Sequence, residues 1–166
     1  MSPVMQDSIV KTAAAVFVGN ACSVFKDMMN VEFVPEQKFN RQSPFTNGFV
    51  AVSHFYGAVQ GDFMMSTDEM TVSKIAGVYN PDDSVDIMVK NREIYASMMC
   101  EVLNISAHQS LAGLETTYGK LILLPPSWVF GEYHTVEYIS GVGSIDSLYG
   151  SIVCTFSLNN AGFNSF

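Results

Sequence analysis

The sequence predicts an α+β fold in which two long helices pack on an antiparallel β-sheet. Apolar residues recur at helical spacing in two long segments, and β-like runs follow each of these segments. Because strands and helices come in blocks, an α+β arrangement is favoured over a parallel α/β sheet. The order of elements also suggests a loose internal duplication, in which a long helix followed by a three-stranded meander occurs twice.

The first half of the chain begins with a helix predicted from about Gln6 to Met29, in which Gly19 suggests close packing. A strand is predicted over Val31–Pro35 from its alternating pattern, and turn-forming residues predict a loop over Arg41–Gly48. Glycines punctuate the β-like runs that follow, which predicts a hairpin. Its two strands are placed at Val50–Tyr56 and Val59–Met65.

The second half begins with a short helix that either Thr67 or Asp68 could cap and that Asn80-Pro81 stops after Val78. A second long helix is predicted from about Val85 to Leu114, and Gly119 ends that region. Three β-like stretches follow, with the glycines at 141, 143 and 150 marking the turn between the last two. The stretches are Lys120–Leu124, Trp128–Ile139 and Tyr149–Leu158.

Composition restricts the class of protein. A length of 166 residues predicts one domain spanning 1–166, and 48% apolar with 14% charged residues predicts an ordered core. The formal net charge is −8. A surface of that sign repels phosphate backbones and anionic lipid, so we expect no nucleic-acid or membrane partner.

Three cysteines, Cys22, Cys100 and Cys154, lie far apart without a CxxC pair. This pattern is typical of free thiols in a reducing compartment, and it predicts neither a disulfide framework nor a zinc site. The chain begins without the basic region of a signal peptide, and the apolar stretch Ala13–Val18 is too short to span a bilayer. We therefore expect a cytoplasmic protein.

A polar stripe runs along the second long helix. Ser97, Glu101, Asn104 and His108 follow one another at i, i+4, i+7 and i+11, opposite a broad apolar arc. A solvated face is the simplest interpretation, because every surface helix has one. However, the stripe carries uncharged hydrogen-bonding groups where such a face usually carries Lys and Glu. Asn also has poor propensity in mid-helix, which indicates another reason for its presence.

Glu101-Val-Leu-Asn104 resembles the Glu-x-x-Asn motif of the CheC/CheX/FliY phosphatases of chemotaxis. Ser97 stands four residues before the glutamate, where that family carries Ser or Asp. The family pattern also expects a proline in the following strand region, for which Pro126 is the best candidate, with Pro125 beside it. The segment Tyr56–Ser66 resembles the family's hairpin, in which G-x-V-x-G precedes an apolar strand. The resemblance covers most of the chain and implies a CheC-like fold.

The resemblance is nearest to the CheX branch, because only the second long helix carries the motif. On the first helix, Phe17 stands three residues before Asn20, so a second site is absent there. The sequence departs from the family at His108, where many members have glycine four residues after the motif's asparagine. The CheX branch implies a homodimer built by joining sheets.

The resemblance implies that the chain dephosphorylates the aspartyl phosphate of a CheY-like response-regulator receiver domain. Asn104 would orient the attacking water in the receiver's site, and Glu101 would pair with the receiver's lysine. Ser97 would be a supporting contact, and His108 a rim contact or plain surface. The Mg²⁺ ion is expected in the receiver, and this chain is expected to bind no metal or cofactor of its own.

Two other interpretations remain open. The protein could dock a receiver or another signalling protein without hydrolysing anything, as an adaptor of the same fold. The stripe could also be solvated, or buried in a homodimer, with a structural role only. Burial of Glu101 and Asn104 against another subunit would contradict the phosphatase interpretation. His54 falls in a predicted strand and is interpreted as structural or exposed.

Overall fold

The computed structural model of the chain describes residues 3–36, 45–79, 92–134 and 138–159. These residues form helices and antiparallel strands, which confirms the predicted α+β class. The helices are α1 (Pro3–Met29), α2 (Glu69–Tyr79) and α3 (Arg92–Tyr118). The strands are β1 (Val34–Pro35), β2 (Phe45–Tyr56), β3 (Gly61–Thr67), β4 (Ile122–Leu123), β5 (Ser127–His134), β6 (Tyr138–Ser147) and β7 (Gly150–Asn159).

The strands form one antiparallel sheet in the order β1-β6-β7-β3-β2, and both β4 and β5 pair with the far edge of β2. With β5 placed beside β2, the order reads the same from either edge once β1, β2 and β3 are exchanged with β5, β6 and β7. This symmetry supports the predicted duplication. The structure adds one detail to it. One edge strand of each half pairs with the other half, because β1 lies beside β6 and β5 lies beside β2.

The core lies on the face of the sheet that the two long helices cover. Helix α1 packs on β6 and β7, α3 packs on β2 and β3, and the two helices contact each other. Phe63 on β3 links the halves, since its ring lies 5.0 Å from that of Phe17 on α1 and 5.2 Å from that of Phe156 on β7. Burial of each such side chain contributes roughly 1.5–3 kcal/mol to folding.

Helix α1 is more apolar than the short run Ala13–Val18 suggests. An 18-residue window within Val4–Met29 has a mean hydropathy of 1.5, and this helix is long and apolar enough to cross a membrane by length and composition. In the structure, however, α1 lies against the sheet and α3, and its residues Phe17 and Phe25 are fully buried. The apolar residues of α1 that face the sheet and α3 therefore form part of the protein core.

Gly141 and Gly143 lie inside β6, so the predicted turn at these residues is wrong. The turn between β6 and β7 is at Leu148 and Tyr149. Gly141 serves helix packing instead. A Cβ atom there would lie 2.8 Å from the Cβ of Ala14 and 2.9 Å from the carbonyl oxygen of Val10, so α1 could not approach β6 this closely.

Several strand bounds also differ from the prediction. The stretch Trp128–Ile139, predicted as one strand, contains the end of β5 and the start of β6, with residues 135–137 outside the described part. Residues 45–48, predicted as loop, belong to β2 because they pair with β5. Of the predicted loop, 41–44 lie outside the described residues. The predicted hairpin is confirmed as β2–β3.

Asp68 caps α2, which decides between the two predicted caps. Its Oδ1 accepts a hydrogen bond of 2.8 Å from the backbone N–H of Thr71, and its Oδ2 accepts one of 2.8 Å from the Thr71 hydroxyl. These bonds stabilise the charged carboxylate, so they lower the pKa of Asp68. Asp68 thereby fixes the start of the helix that leads towards α3.

The second long helix is confirmed as α3, although its bounds are displaced. The predicted start at Val85 falls within residues 80–91, which lie outside the described part of the chain. The helix continues past Leu114 to Tyr118 and ends at Gly119, which has the positive φ of 75° that helix ends favour.

Candidate functional site

Contacts near both ends hold α3 in place. At the start, the Arg92 guanidinium donates to both carboxylate oxygens of Glu69 on α2, at 2.8 and 3.0 Å, and lies 4.4 Å over the ring of Phe130 on β5. Near the end, the backbone N–H of Leu121 donates to Glu115 at 2.9 Å. Helix α3 is therefore a rigid support for whatever its outward face carries.

The inward face of α3 is buried along its whole length, as the apolar arc predicts. It also includes small residues that the sequence interpretation did not place there, namely Ser106 and Ser110. These hydroxyls are satisfied within the helix, because Ser106 donates to the carbonyl of Val102 and Ser110 to that of Ser106, both at 2.7 Å. Of the predicted arc, Ile105 is only partly buried.

The predicted stripe faces outward. Ser97, Glu101 and His108 are exposed, and Asn104 is half-buried. Within the described part of the chain, the side chains of Ser97, Glu101 and Asn104 have no hydrogen-bond or ion-pair partner. The structure thus brings all four predicted residues to one surface and leaves three of them free to bind another molecule.

Ser97 lacks a hydrogen bond that three other serines of the long helices make. Ser23, Ser106 and Ser110 each donate to the carbonyl four residues earlier, as helical serines often do. No such bond is made by Ser97 in the described structure. Glu101 is similarly free, because no Lys or Arg stands three or four residues from it. A hydroxyl and a carboxylate are therefore available one turn apart.

His108 is the one stripe residue with an internal contact. Its Nδ1 lies 2.8 Å from the backbone carbonyl oxygen of Asn104, one turn earlier in α3. A carbonyl oxygen can only accept, so Nδ1 must carry the proton of this hydrogen bond. The imidazole ring is thereby held beside Asn104.

Helix α1 has no equivalent stripe, in agreement with the sequence interpretation. Phe17 is fully buried, and the Asn20 amide donates to the hydroxyl of Ser110 on α3 at 3.0 Å. Asn20 therefore joins the two helices instead of facing a partner. Close packing at Gly19 was predicted wrongly, since this residue is exposed and has no atom within 4 Å of the position of a Cβ.

A second polar pair, between His54 on β2 and Asp62 on β3, was missed by sequence reasoning. His54 Nδ1 contacts Asp62 Oδ1 across the hairpin, and Asp62 is only 1% exposed. Burial raises the pKa of Asp62, while His54 opposes that shift. The sequence feature that could have indicated this pair is Asp62, because a carboxylate is unusual in an apolar strand.

The described residues do not offer a metal centre or a reactive thiol. Among them, no three His, Cys, Asp or Glu side chains are grouped as metal ligands would be. Burial raises the pKa of the Cys100 thiol to about 11, and it also raises the pKa values of Cys22 and Cys154. These thiols are protonated at neutral pH, so they are poor nucleophiles.

Comparison with solved structures identifies the fold. CheX from Desulfovibrio desulfuricans matches with a TM-score of 0.75 at 18% identity, over 89% of this chain and 99% of that chain. The fold is that of CheX. A structure of the CheX–CheY–BeF3–Mg2+ complex from Borrelia burgdorferi matches with a TM-score of 0.73 at 20% identity, over 88% and 97% of the two chains.

The CheX fold extends to a related protein. FliY from Thermotoga maritima matches with a TM-score of 0.66 at 11% identity, over 97% of this chain and 92% of that chain. In sequence, the chain matches no known protein-family model and no curated protein. The predicted likeness to CheX, CheC-like and FliY proteins is therefore confirmed for the fold, and function has to be argued from the site.

Proposed function

We propose that this protein dephosphorylates the aspartyl phosphate of a response-regulator receiver domain in chemotaxis or related two-component signalling. The observation that carries the proposal concerns Glu101 and Asn104 on the outward face of α3. Among the described residues, neither side chain has a hydrogen-bond or ion-pair partner. The CheX fold supports it, and so does the existence of a CheX–CheY complex with the same fold. Both residues also belong to the segment Glu101–Asn104 that resembles the family's Glu-x-x-Asn motif.

The proposed reaction requires few functional groups from this chain. An acyl phosphate hydrolyses by itself, so a phosphatase needs only to hold a water in line with the phosphorus and keep the surrounding charges fixed. The Asn104 amide can donate to and accept from that water but cannot replace it as a nucleophile. Glu101 pairs with the receiver's lysine and sets the docking register, while Ser97 adds a hydrogen bond at the rim.

The receiver supplies the Mg²⁺ ion in this scheme, and we place the encounter in the cytoplasm. We also propose a homodimer in which sheets join at an edge. Strand β5 is a candidate for this edge, because it is an eight-residue strand that, among the described residues, pairs with β2. Sedimentation would show a dimer, and the stripe must stay accessible in it.

The test is the loss of phosphate from a panel of phosphorylated receiver domains in Mg²⁺. The wild type should accelerate at least one of them, and Asn104→Ala should lower that acceleration by about 100-fold, as loss of one oriented amide does in other enzymes. Gln109→Ala is the matched control, since it removes an exposed amide from the same helix without touching the stripe. Circular dichroism would check that each variant is folded.

Two outcomes would contradict the proposal. Acceleration that survives in a folded Asn104→Ala would remove the asparagine from the mechanism. Binding of a receiver without any acceleration by the wild type would favour the adaptor instead, with Glu101 and Asn104 as contact residues. The adaptor is the second candidate because His108 lies against Asn104, where it could hold a partner at a different distance.

A further inference from the structure

The hydrogen bond between His108 and Asn104 defines the chemical state of the imidazole. Because Nδ1 donates to a carbonyl oxygen, the neutral ring is the Nδ1–H tautomer and its Nε2 is a bare acceptor. Protonation adds a hydrogen at Nε2 and a positive charge to the ring. The same side chain can therefore accept at one pH and donate as a cation at a lower one.

The charges around His108 make this change significant. It is exposed, and among the described residues only α3 contacts it through a hydrogen bond. The ionisable groups on its side of α3 are Glu101 and Glu115, each two turns away, which is about 10 Å along the axis. Glu115 already accepts from Leu121. The nearest cation on the helix, Arg92, is bound to Glu69, so a protonated His108 would be the only positive charge on the stripe.

We propose that His108 is a proton-dependent specificity residue of the docking surface. When protonated, its Nε2–H donates to an anionic oxygen of the receiver, next to the position that Asn104 enters. This inference rests on the proposed function. The sign follows from the charge: imidazolium attracts the acidic phosphorylation site of a receiver and neutral imidazole does not, so docking tightens as the pH falls.

Binding measurements at about pH 8 and about pH 6 test this proposal. The probe is a receiver domain loaded with Mg²⁺ and beryllofluoride, a stable substitute for the phosphoryl group, and calorimetry gives the dissociation constant. For the wild type, we expect binding to tighten by about tenfold more than for His108→Gln, which corresponds to one charge-assisted hydrogen bond. Because both proteins bind the same receiver, the receiver's own titration cancels.

His54→Gln is the matched control, because it removes another exposed imidazole, on the β2–β3 hairpin. This variant should keep the pH response of the wild type. Repeating the experiment with an unloaded receiver identifies the source of the anionic oxygen. A pH response confined to the loaded form assigns the contact to the phosphoryl group, and a response in both forms assigns it to the receiver's carboxylates.

Three results would overturn the inference. An equal pH response in the wild type and His108→Gln would exclude His108 while leaving the proposed function intact. Failure of the wild type to bind any receiver at either pH would remove both. Independently of any receiver, nitrogen chemical shifts of the free protein would show the Nδ1–H tautomer at high pH, and finding the Nε2–H tautomer there would contradict the geometry on which the proposal rests.

Discussion

Helices α1 and α3 have the same length of 27 residues and pack on the same face of the sheet, each over the hairpin of the other half. Their inward sides are alike, because both provide large apolar side chains to one core. Their outward sides differ: α1 exposes small residues such as Thr12, Ala15 and Gly19, while α3 exposes the stripe. The two helices thus pack alike, and the residues proposed to bind a partner lie on α3 alone.

The largest expected effect is on stability and comes from the inward side of α1. Phe17→Ala should lower the free energy of unfolding by about 3–5 kcal/mol, because it empties a fully buried site against Phe63. Phosphatase activity per folded molecule should persist, since Phe17 lies on the other helix. Urea denaturation and an activity assay on the folded fraction would check both. A loss of activity without loss of stability would contradict the assignment of α1 to packing.

Gly141→Ala should show how closely α1 lies on its strand. The added methyl group overlaps Ala14 and Val10, so we expect a loss of about 1–3 kcal/mol in the free energy of unfolding. The same substitution on the outward side of α1, Gly19→Ala, should stabilise the protein by about 0.5–1 kcal/mol, because alanine favours a helix and nothing blocks it. Equal signs for the two variants would contradict this packing.

The two asparagines allow the sharpest comparison. Asn20→Ala removes the bond to Ser110 and should cost about 1 kcal/mol of stability, with activity unchanged. Asn104→Ala removes no internal side-chain bond, so its stability should change by less than about 0.5 kcal/mol while activity falls. Thermal unfolding and phosphate release, measured on both variants, would test this. If both variants lost the same property, the two helices would not differ in role.

A further effect on stability, which depends on pH, concerns the cap of α2, the helix that holds the start of α3 through Glu69. Asp68→Ala should lower the free energy of unfolding by about 1 kcal/mol at neutral pH. Because the bonds from Thr71 lower the pKa of Asp68 in the folded state, this contribution is complete above the unfolded value of about 3.9 and is lost as the pH falls through the folded value. Denaturation curves for both proteins should therefore converge below about pH 4. A constant difference would contradict the role of the charge.

Local patterns made part of this structure predictable. The spacing of Ser97, Glu101, Asn104 and His108 within one helix places them on one side whatever the helix packs against. The hairpin β2–β3 and the cap at Asp68 could also be predicted, because each is formed by residues that are close together in the sequence.

Features that depend on distant parts of the chain were not predictable. Gly141 was taken for a turn signal because its role depends on α1, far away in sequence. The division of Trp128–Ile139 into β5 and β6 depends on their different neighbours, since β5 pairs with β2 and β6 pairs with β7. Predicting the contact of His54 with Asp62 would have needed the register in which β2 and β3 pair. Predicting the hydrogen bond of His108 would have needed the conformation of its side chain.

The pairing of β1 with β6 and of β5 with β2 joins the two halves, and this has a consequence for how the chain can be divided. A fragment that ends after α2 would keep β1 without β6 and β2 without β5, and the complementary fragment would lack the opposite partners. Neither fragment could complete its own edge, but a mixture of the two could rebuild every pair. The intact chain is in this respect a covalently joined, strand-swapped pair, so Asn104 on α3 is held in position by strands from both halves of the chain.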